Sequence, residues 1–178
     1  VESLPGIFYM IDSDGNYQRW NQNFEDQLGY TPDDLKEMSP ADFYTDEEYE
    51  RVAKRINEVF ETGEAEMEAE IVTKQGQKIP YYLTGKLFEQ SGEMYLVGVG
   101  HDISEQVESR EKLRKSEELF RNLFLKAPAS IVMVDPDNKV QSVNKSFEKL
   151  FGYSEKEIMG QDIDEVLVPS DEYQDAPK

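Results

Sequence analysis

"NQNFEDQLGYTPDDL" occupies residues 21–35, and "NKSFEKLFGYSEKEI" occupies residues 144–158. Both read N-x-x-F-E-x-x-x-G-Y-[ST]-x-x-[DE]-[LI], at an offset of 123 residues. Each stretch carries two helix signals in series. Asn21 and Asn144 suit an N-cap, where a side-chain oxygen accepts from an amide left open in the first turn. Phe24 and Leu28, like Phe147 and Phe151, stand four apart and share one helical face. Gly29 and Gly152 suit the left-handed position that ends a helix. Thr31 with Asp34, and Ser154 with Glu157, resemble capping boxes that open a second helix. Pro32 adds a first-turn signal in the first copy.

The match extends upstream without a gap. "LPGIFYMIDSDGNYQRWN" (4–21) lies over "APASIVMVDPDNKVQSVN" (127–144). The apolar runs from Ile7 to Ile11 and from Ile131 to Val134 predict short strands buried on both faces. Each is followed by D-x-D and then Gly15 or Asn138, residue types that tolerate positive φ, so a tight turn is expected. A second short strand then ends at the capping asparagine.

Only the first copy runs on. "TDEEYERVAKRINEVFETG" opens with Thr45 and Glu48 as a capping box, sets Tyr49, Val52, Ile56, Val59 and Phe60 on one face, and closes at Gly63. "EAEMEAEI" alternates strictly. Glu64, Glu66, Glu68 and Glu70 face one side and Ala65, Met67, Ala69 and Ile71 the other, as in a half-buried strand. "TKQGQK" and "EQSGE" are hairpins around the strands "IPYYLTGKLF" and "MYLVGVGHDI". Lys86 is expected to pair with the glutamate row. The second copy reaches "VPSDEYQDAPK" where its long helix is expected to start, and by itself it is expected not to close a sheet.

Composition bounds the rest. With 178 residues, 38 % apolar and 11 % aromatic, the chain can bury a core; one domain plus a fragment is expected. No apolar run approaches membrane-span length, and "VESLPGIFYM" is no signal peptide. The missing initiator Met suggests a piece of a longer parent. A net charge of -19 makes nucleic acid and anionic membrane poor partners. The absence of cysteine excludes disulfides, thiolate nucleophiles and cysteinyl adducts to a chromophore. A cytoplasmic location is expected.

Together, D-x-D-G, "WN", "FEDQLGY", the Thr31–Asp34 step, "TKQGQK" and the closing "GVGHDIS" resemble the PAS domain, the sensory module of many bacterial and archaeal signalling proteins. The resemblance covers Leu4 to Ser104 and again Ala127 to about Tyr173. It implies an α+β fold, a five-stranded antiparallel sheet in the order 2-1-5-4-3 with helices over one face. The expected division is a first PAS domain over 1–104, a helical linker over 105–126 and the N-terminal part of a second PAS domain over 127–178. In the linker, Asp102 and Glu105 form a capping box, and no Gly or Pro interrupts the run to Leu125. Leu113, Phe120 and Phe124 fall near heptad spacing from Ile103, while Gln106, Arg110 and Glu117 take the other seam positions. A loose, dimerising signalling helix and a plain connecting helix both fit.

No catalytic residue stands out: there is no activated nucleophile and no phosphate loop. No metal site is expected either. Asp12, Asp14 and Asn16 lack the glycine and glutamate spacing of a calcium loop and read as a turn. His101, the one histidine, falls by parity on the outer sheet face with Tyr95, Val97 and Val99. Haem is disfavoured, because haem-binding relatives place their histidine on the long helix. Non-covalent flavin or a small organic ligand stays open.

Parity turns Gly98 and Gly100 inward, and small residues under a helix layer leave room. Either protein fills that room (Trp20, Phe24, Phe43, Tyr44 and Phe60 are candidates) or a ligand does. The candidate pocket is Trp20, Phe24, Phe43, Val52, Ile56, Met67, Ala69, Tyr81, Leu83, Gly98 and Gly100. The candidate interface for a homodimer and for signal relay is Tyr95, Val97, Val99, His101, Asp102, Ile103, Leu113, Phe120 and Phe124. The expected function is a sensor of a small ligand or of redox state, relaying to a histidine kinase or diguanylate cyclase domain of the same parent. A ligand-free module for dimerisation and protein interaction is the alternative.

Overall fold

Strand β1 (Ile7–Asp12) forms on the first apolar run, and β2 (Tyr17–Trp20) returns beside it across the D-x-D-G turn. The turn is built by Asp12, whose Oδ1 accepts from the amides of Asp14 and Asn16, with Gly15 at a φ of 85°. The protein is described by a computed structural model that covers residues 5–167, and it divides into two units, residues 1–110 and 111–178.

In the first unit, helix α1 (Gln22–Leu28) ends at Gly29, and α2 (Pro32–Glu37) starts at the Thr31–Asp34 capping box. A single 3-10 turn over Pro40–Phe43 follows, capped reciprocally by Ser39 and Asp42. Sequence reading missed it. Helix α3 (Asp46–Thr62) has Thr45 accepting from the Glu48 amide, without the reciprocal half of the expected box. Strands β3 (Glu64–Val72), β4 (Lys78–Gln90) and β5 (Glu93–Asp102) complete an antiparallel sheet in the order β2-β1-β5-β4-β3. The expected strand order is the observed one.

Glutamates alternate outward along β3, and Lys86 reaches Glu64 at 3.3 Å as expected. The apolar parity packs against the helices. Ile7, Phe24, Leu28, Leu35, Phe43, Val52, Ala69, Ile71, Tyr81 and Leu83 form one continuous core. The hairpin after β3 docks on the α1–α2 junction. There the Lys74 amide donates to the Leu28 carbonyl and the Lys74 ammonium meets Asp34 at 2.5 Å.

Helix α4 spans Ser104–Lys126. Its start is not the Asp102–Glu105 box: Asp102 Oδ1 accepts from the Ser104 amide, two residues on. A bond from the Asp side chain to the amide two residues on is a local alternative that competes with a helix cap.

The second unit repeats the opening of the first. Strands β6 (Val132–Val134) and β7 (Val140–Val143) pair, and helices α5 (Lys145–Phe151), α6 (Glu155–Ile158) and α7 (Ile163–Leu167) follow. Its core is Val140, Val143, Phe147, Ile158 and Ile163. Here one expectation fails. The run from Ile131 to Val134 is not buried on both faces, since Met133 is 40 % and Val134 42 % exposed. The reason is topological: β6 pairs only with β7 among the described residues, whereas β1 lies between β2 and β5. The place where a second long helix was expected lies outside the described residues.

Candidate functional site

Glycine and alanine set the geometry of the site. Register across the first sheet puts Tyr9 opposite Trp20 on one side and Gly98 on the other. Gly98 faces Gly85, and Gly85 faces Ala65. Under this row of small residues the sheet has no side-chain relief. Helix α3 crosses above and offers Val52, Ile56 and Val59. Between the two layers lies a cavity of about 30 Å³, lined by these residues together with Tyr9, Met67, Leu83 and Leu96. Arg55 and Glu66 stand at its rim, and Arg55 is ion-paired to Glu58.

The sequence-derived pocket residues divide into three groups. Val52, Ile56, Met67 and Leu83 line the cavity. Phe24, Phe43, Ala69 and Tyr81 are core beside it. Phe24 and Phe43 stack edge-on at 5.5 Å within an aromatic cluster with Tyr9, Tyr17 and Tyr30. Trp20 sits on the edge strand, its indole N–H donating to Glu25 at 2.8 Å, and does not line the cavity. Gly98 and Gly100 do face inward, but β1 covers both. A Cβ on Gly98 would stand 2.2 Å from the Tyr9 ring, and one on Gly100 would stand 2.7 Å from Ile7. Much of the room that glycines make is therefore filled by protein, and the filler is Tyr9 rather than any of the five candidates named from sequence. Tyr9 was missed because β1 read as an apolar run with no preferred face. The pairing of Tyr9 with Gly98 is the signal that would have found it.

Burial shapes the chemistry of this layer. It pushes the Tyr9 hydroxyl up to about 12, and it raises Tyr17 and Tyr44 well above the ordinary phenol value. Tyr81 is also pushed to about 12 by burial, with Asp102 nearby, and donates to Gln27 at 2.6 Å. All four are neutral hydrogen-bond donors near neutral pH. No group of His, Asp and Glu among the described residues could hold a metal ion.

The opposite face of the sheet carries the sequence-derived interface. Tyr95, Val97 and Val99 are half-buried and His101 and Asp102 exposed, with Phe88 46 % exposed among them. Phe8, Met10, Trp20, Phe88 and Val97 line a shallow groove there. On α4, Ile103 precedes the helix and is half-buried. Leu113 and Phe120 are exposed, as are Val107, Leu119 and Leu123, which heptad reading left out. Phe124 is instead buried in the second unit and stacks on Phe120. The structure does not bring Phe124 to an open seam.

A five-stranded antiparallel sheet with helices on one face, a small cavity beneath the longest of them and a helix leaving the last strand defines a class of modules. A family model described as PAS fold matches residues 1–108, and a second PAS fold model matches residues 118–178. The chain belongs to the PAS family, as two PAS regions in tandem. It is 33 % identical over 120 residues to the cyclic di-GMP phosphodiesterase PdeR of Escherichia coli K12, covering 64 % of this chain and 18 % of that protein. It is 26 % identical over 156 residues to a methyl sulfide methyltransferase-associated sensor of Methanosarcina acetivorans, covering 85 % of this chain and 16 % of that one. The chain thus spans less than a fifth of these relatives. Among solved structures, a PAS domain from Desulfitobacterium hafniense aligns with a TM-score of 0.52 at 20 % identity, covering 57 % of this chain and 95 % of the other. The PAS domain of an HTR-like protein from Haloarcula marismortui aligns at 0.51 and 22 %, covering 57 % and 84 %. No helix among the described residues is long and apolar enough to cross a membrane.

Proposed function

We propose that the chain is a regulatory, non-catalytic sensor region. The first PAS domain binds a small organic ligand beneath α3, and α4 passes the change toward an output domain of the parent protein. The observation that carries this is the cavity of about 30 Å³ over the glycine floor. The cavity is water-sized and lined mainly by apolar side chains, the Tyr9 ring among them, so a ligand larger than a water enters only as that lining moves apart. Sensor and signalling names among the relatives support the role. A histidine kinase or a diguanylate cyclase is the output class proposed; the relative PdeR is named a cyclic di-GMP phosphodiesterase, which supports a signalling output and not the cyclase in particular. Mass spectrometry of the purified chain under native conditions, with an absorption spectrum, tests the reading. A mass excess that leaves on denaturation supports it. A bare mass together with no change in melting temperature across a small-molecule library overturns it.

A second reading has its own support. Leu113 at 61 %, Leu119 at 60 % and Leu123 at 63 % exposure put three leucines in solvent on an otherwise charged α4, and Phe88 is exposed on the outer sheet face. These surfaces suit a homodimer built through the helix and the outer sheet face, with no ligand at all. Sedimentation of the wild type against Leu113→Glu/Leu123→Glu tests it, since the double variant is expected to be monomeric at concentrations where the wild type pairs.

A further inference from the structure

Strand β3 has β4 on one side only, and the phase of its backbone can be read from its neighbours. The Pro80 carbonyl accepts from the Ile103 amide, and the Leu87 amide donates to the Gly63 carbonyl. Backbone groups alternate in direction along an antiparallel pair. Ile79, Tyr81, Leu83 and Gly85 therefore bond toward β3, and Ile71, Ala69, Met67 and Ala65 bond back. The residues between them, from Glu64 to Val72, turn their amides and carbonyls away from the sheet. Side chains close the two ends of this edge. The Thr62 hydroxyl donates to the Glu64 carbonyl at 3.1 Å, and the Tyr30 hydroxyl donates to the Val72 carbonyl at 3.4 Å. Among the described residues nothing bonds the backbone of Glu66, Glu68 or Glu70.

Charge of opposite sign lines the two sides of that open stretch. On the outer face, Glu66 accepts from the Tyr82 hydroxyl and Glu70 meets Lys78 at 3.4 Å, while Glu68 makes no ion pair among the described residues. On the helix side, a groove of about 500 Å³ runs between α3 and β3, with Arg51, Lys54, Arg55, Glu58 and Met67 in its walls. Arg51 pairs with Glu48 and Arg55 with Glu58, while Lys54 makes no ion pair among the described residues.

We infer that the edge from Glu66 to Glu70 takes an added antiparallel strand from a partner protein, one that alternates basic and acidic residues. The open amides and carbonyls supply the main-chain bonds, as wherever an extended peptide extends a sheet. A partner residue opposite Glu66, Glu68 or Glu70 exchanges both bonds with it and turns its side chain to the same outer face. Those positions call for lysine or arginine. The partner residues between stand opposite Met67 and Ala69 and turn toward the groove, where Lys54 calls for a carboxylate. Alternation thus follows from the period of a strand, and the charge beside each face decides which sign goes where. The inference does not depend on what the cavity under α3 holds.

The probe is a peptide of about seven residues, the length of an ordinary strand, with lysine and glutamate alternating. It is added at low salt to the isotopically labelled chain, and amide exchange is followed by NMR. The amides of Glu66, Glu68 and Glu70 are expected to gain protection by about tenfold or more at saturating peptide, while those of Met67 and Ala69, already bonded to β4, stay as they were. Two control peptides are expected to bind far more weakly. One has the same composition with all its lysines before its glutamates, and the other alternates but is N-methylated at its lysines, which removes the donors that face β3. Glu68→Lys is expected to weaken the alternating peptide by about fivefold. Should that variant fail to fold by circular dichroism, Glu68→Gln takes its place. No added protection at Glu66, Glu68 and Glu70 overturns the inference, even if the peptide binds elsewhere on the chain. Equal binding by either control peptide overturns it too, since contact through charge alone needs neither alternation nor free amides. Equal binding by the Glu68 variant overturns the charge rule that defines the partner. Protection of the same amides on raising the protein concentration, with no peptide present, assigns the edge to a second copy of the chain and overturns the partner protein.

Discussion

The two copies of the motif keep the same hydrogen-bonded frame and differ in what they enclose. Asn21 accepts from the amides of Phe8 and Phe24 and donates to the Gly6 carbonyl. Asn144 accepts from Ile131 and Phe147 and donates to Ala129 in the same way. Both asparagines are buried. Asp12 and Asp135 build the same turn, and Gly29 and Gly152 take φ values of 77° and 81°. Yet Tyr9, Tyr17 and Trp20 of the first copy stand where Val132, Val140 and Val143 stand in the second. The first has three further strands beneath its helices. The frame is thus a local device that survives without a complete sheet, whereas the cavity needs β3, β4 and β5, strands roughly 55–90 residues away in sequence from β1.

If the frame is local, its failures should be local too. The largest effect is expected from Asn21→Ala, which strips partners from buried backbone groups and should cost about 3 kcal/mol by urea unfolding. Hydrogen exchange should show protection lost in residues 5–110 alone, and Asn144→Ala should do the converse. Loss in both units from either change would break the comparison. Next come the helix ends. Gly29→Ala and Gly152→Ala each force a left-handed alanine at about 1–2 kcal/mol. Gly29→Ala should cost more, because its Cβ would also meet Gln75 at 2.8 Å while nothing lies within 4 Å of Gly152.

Alkali sharpens the contrast in cores. The folded pKa of Tyr9 is raised from 10.0 to about 12, so the unfolded chain ionises first. Stability from this burial is whole below pH 10 and is lost as pH rises toward 12. Phenolate absorbance and circular dichroism should change together there, and Tyr9→Val should blunt the transition. The smallest effect concerns Asp34, held at about 2 by the Lys74 ammonium first and then by the amide and hydroxyl of Thr31. Its contribution is present above the ordinary carboxylate value and lost as pH falls toward 2. Lys74→Met should raise the Asp34 carboxyl titration in carbon-detected NMR and leave its counterpart Glu157 unmoved, since Ser154 alone lowers that one.

Signals that act within a turn or two were legible in the sequence. The asparagine caps, the left-handed glycines, the long helix ending at Gly63 and the outward glutamates could all be read from spacing. So could strand order, through the family resemblance. The site was half legible. Parity turned Gly98 and Gly100 inward, but which ring lies on Gly98 depends on the register of β1 against β5, a pairing that no local pattern encodes. The same holds for Phe124. Its heptad position marks a seam, and only tertiary packing takes it into the second unit. The start of α4 misled for the opposite reason, since two local bonds competed for Asp102 and the shorter one won.

The glutamate row of β3 has a consequence beyond its salt bridge. That strand is the long free rim of the first sheet, and a bare rim is a template for polymerisation. Two copies meeting there about a two-fold axis through the sheet would lay Glu64, Glu66, Glu68 and Glu70 of each along one shared face, like charges side by side. The opposite rim, β2, is only four residues long. Growth into a fibril is therefore discouraged at both ends of the sheet. Copies that come together are left the broad face and the helix as their meeting places.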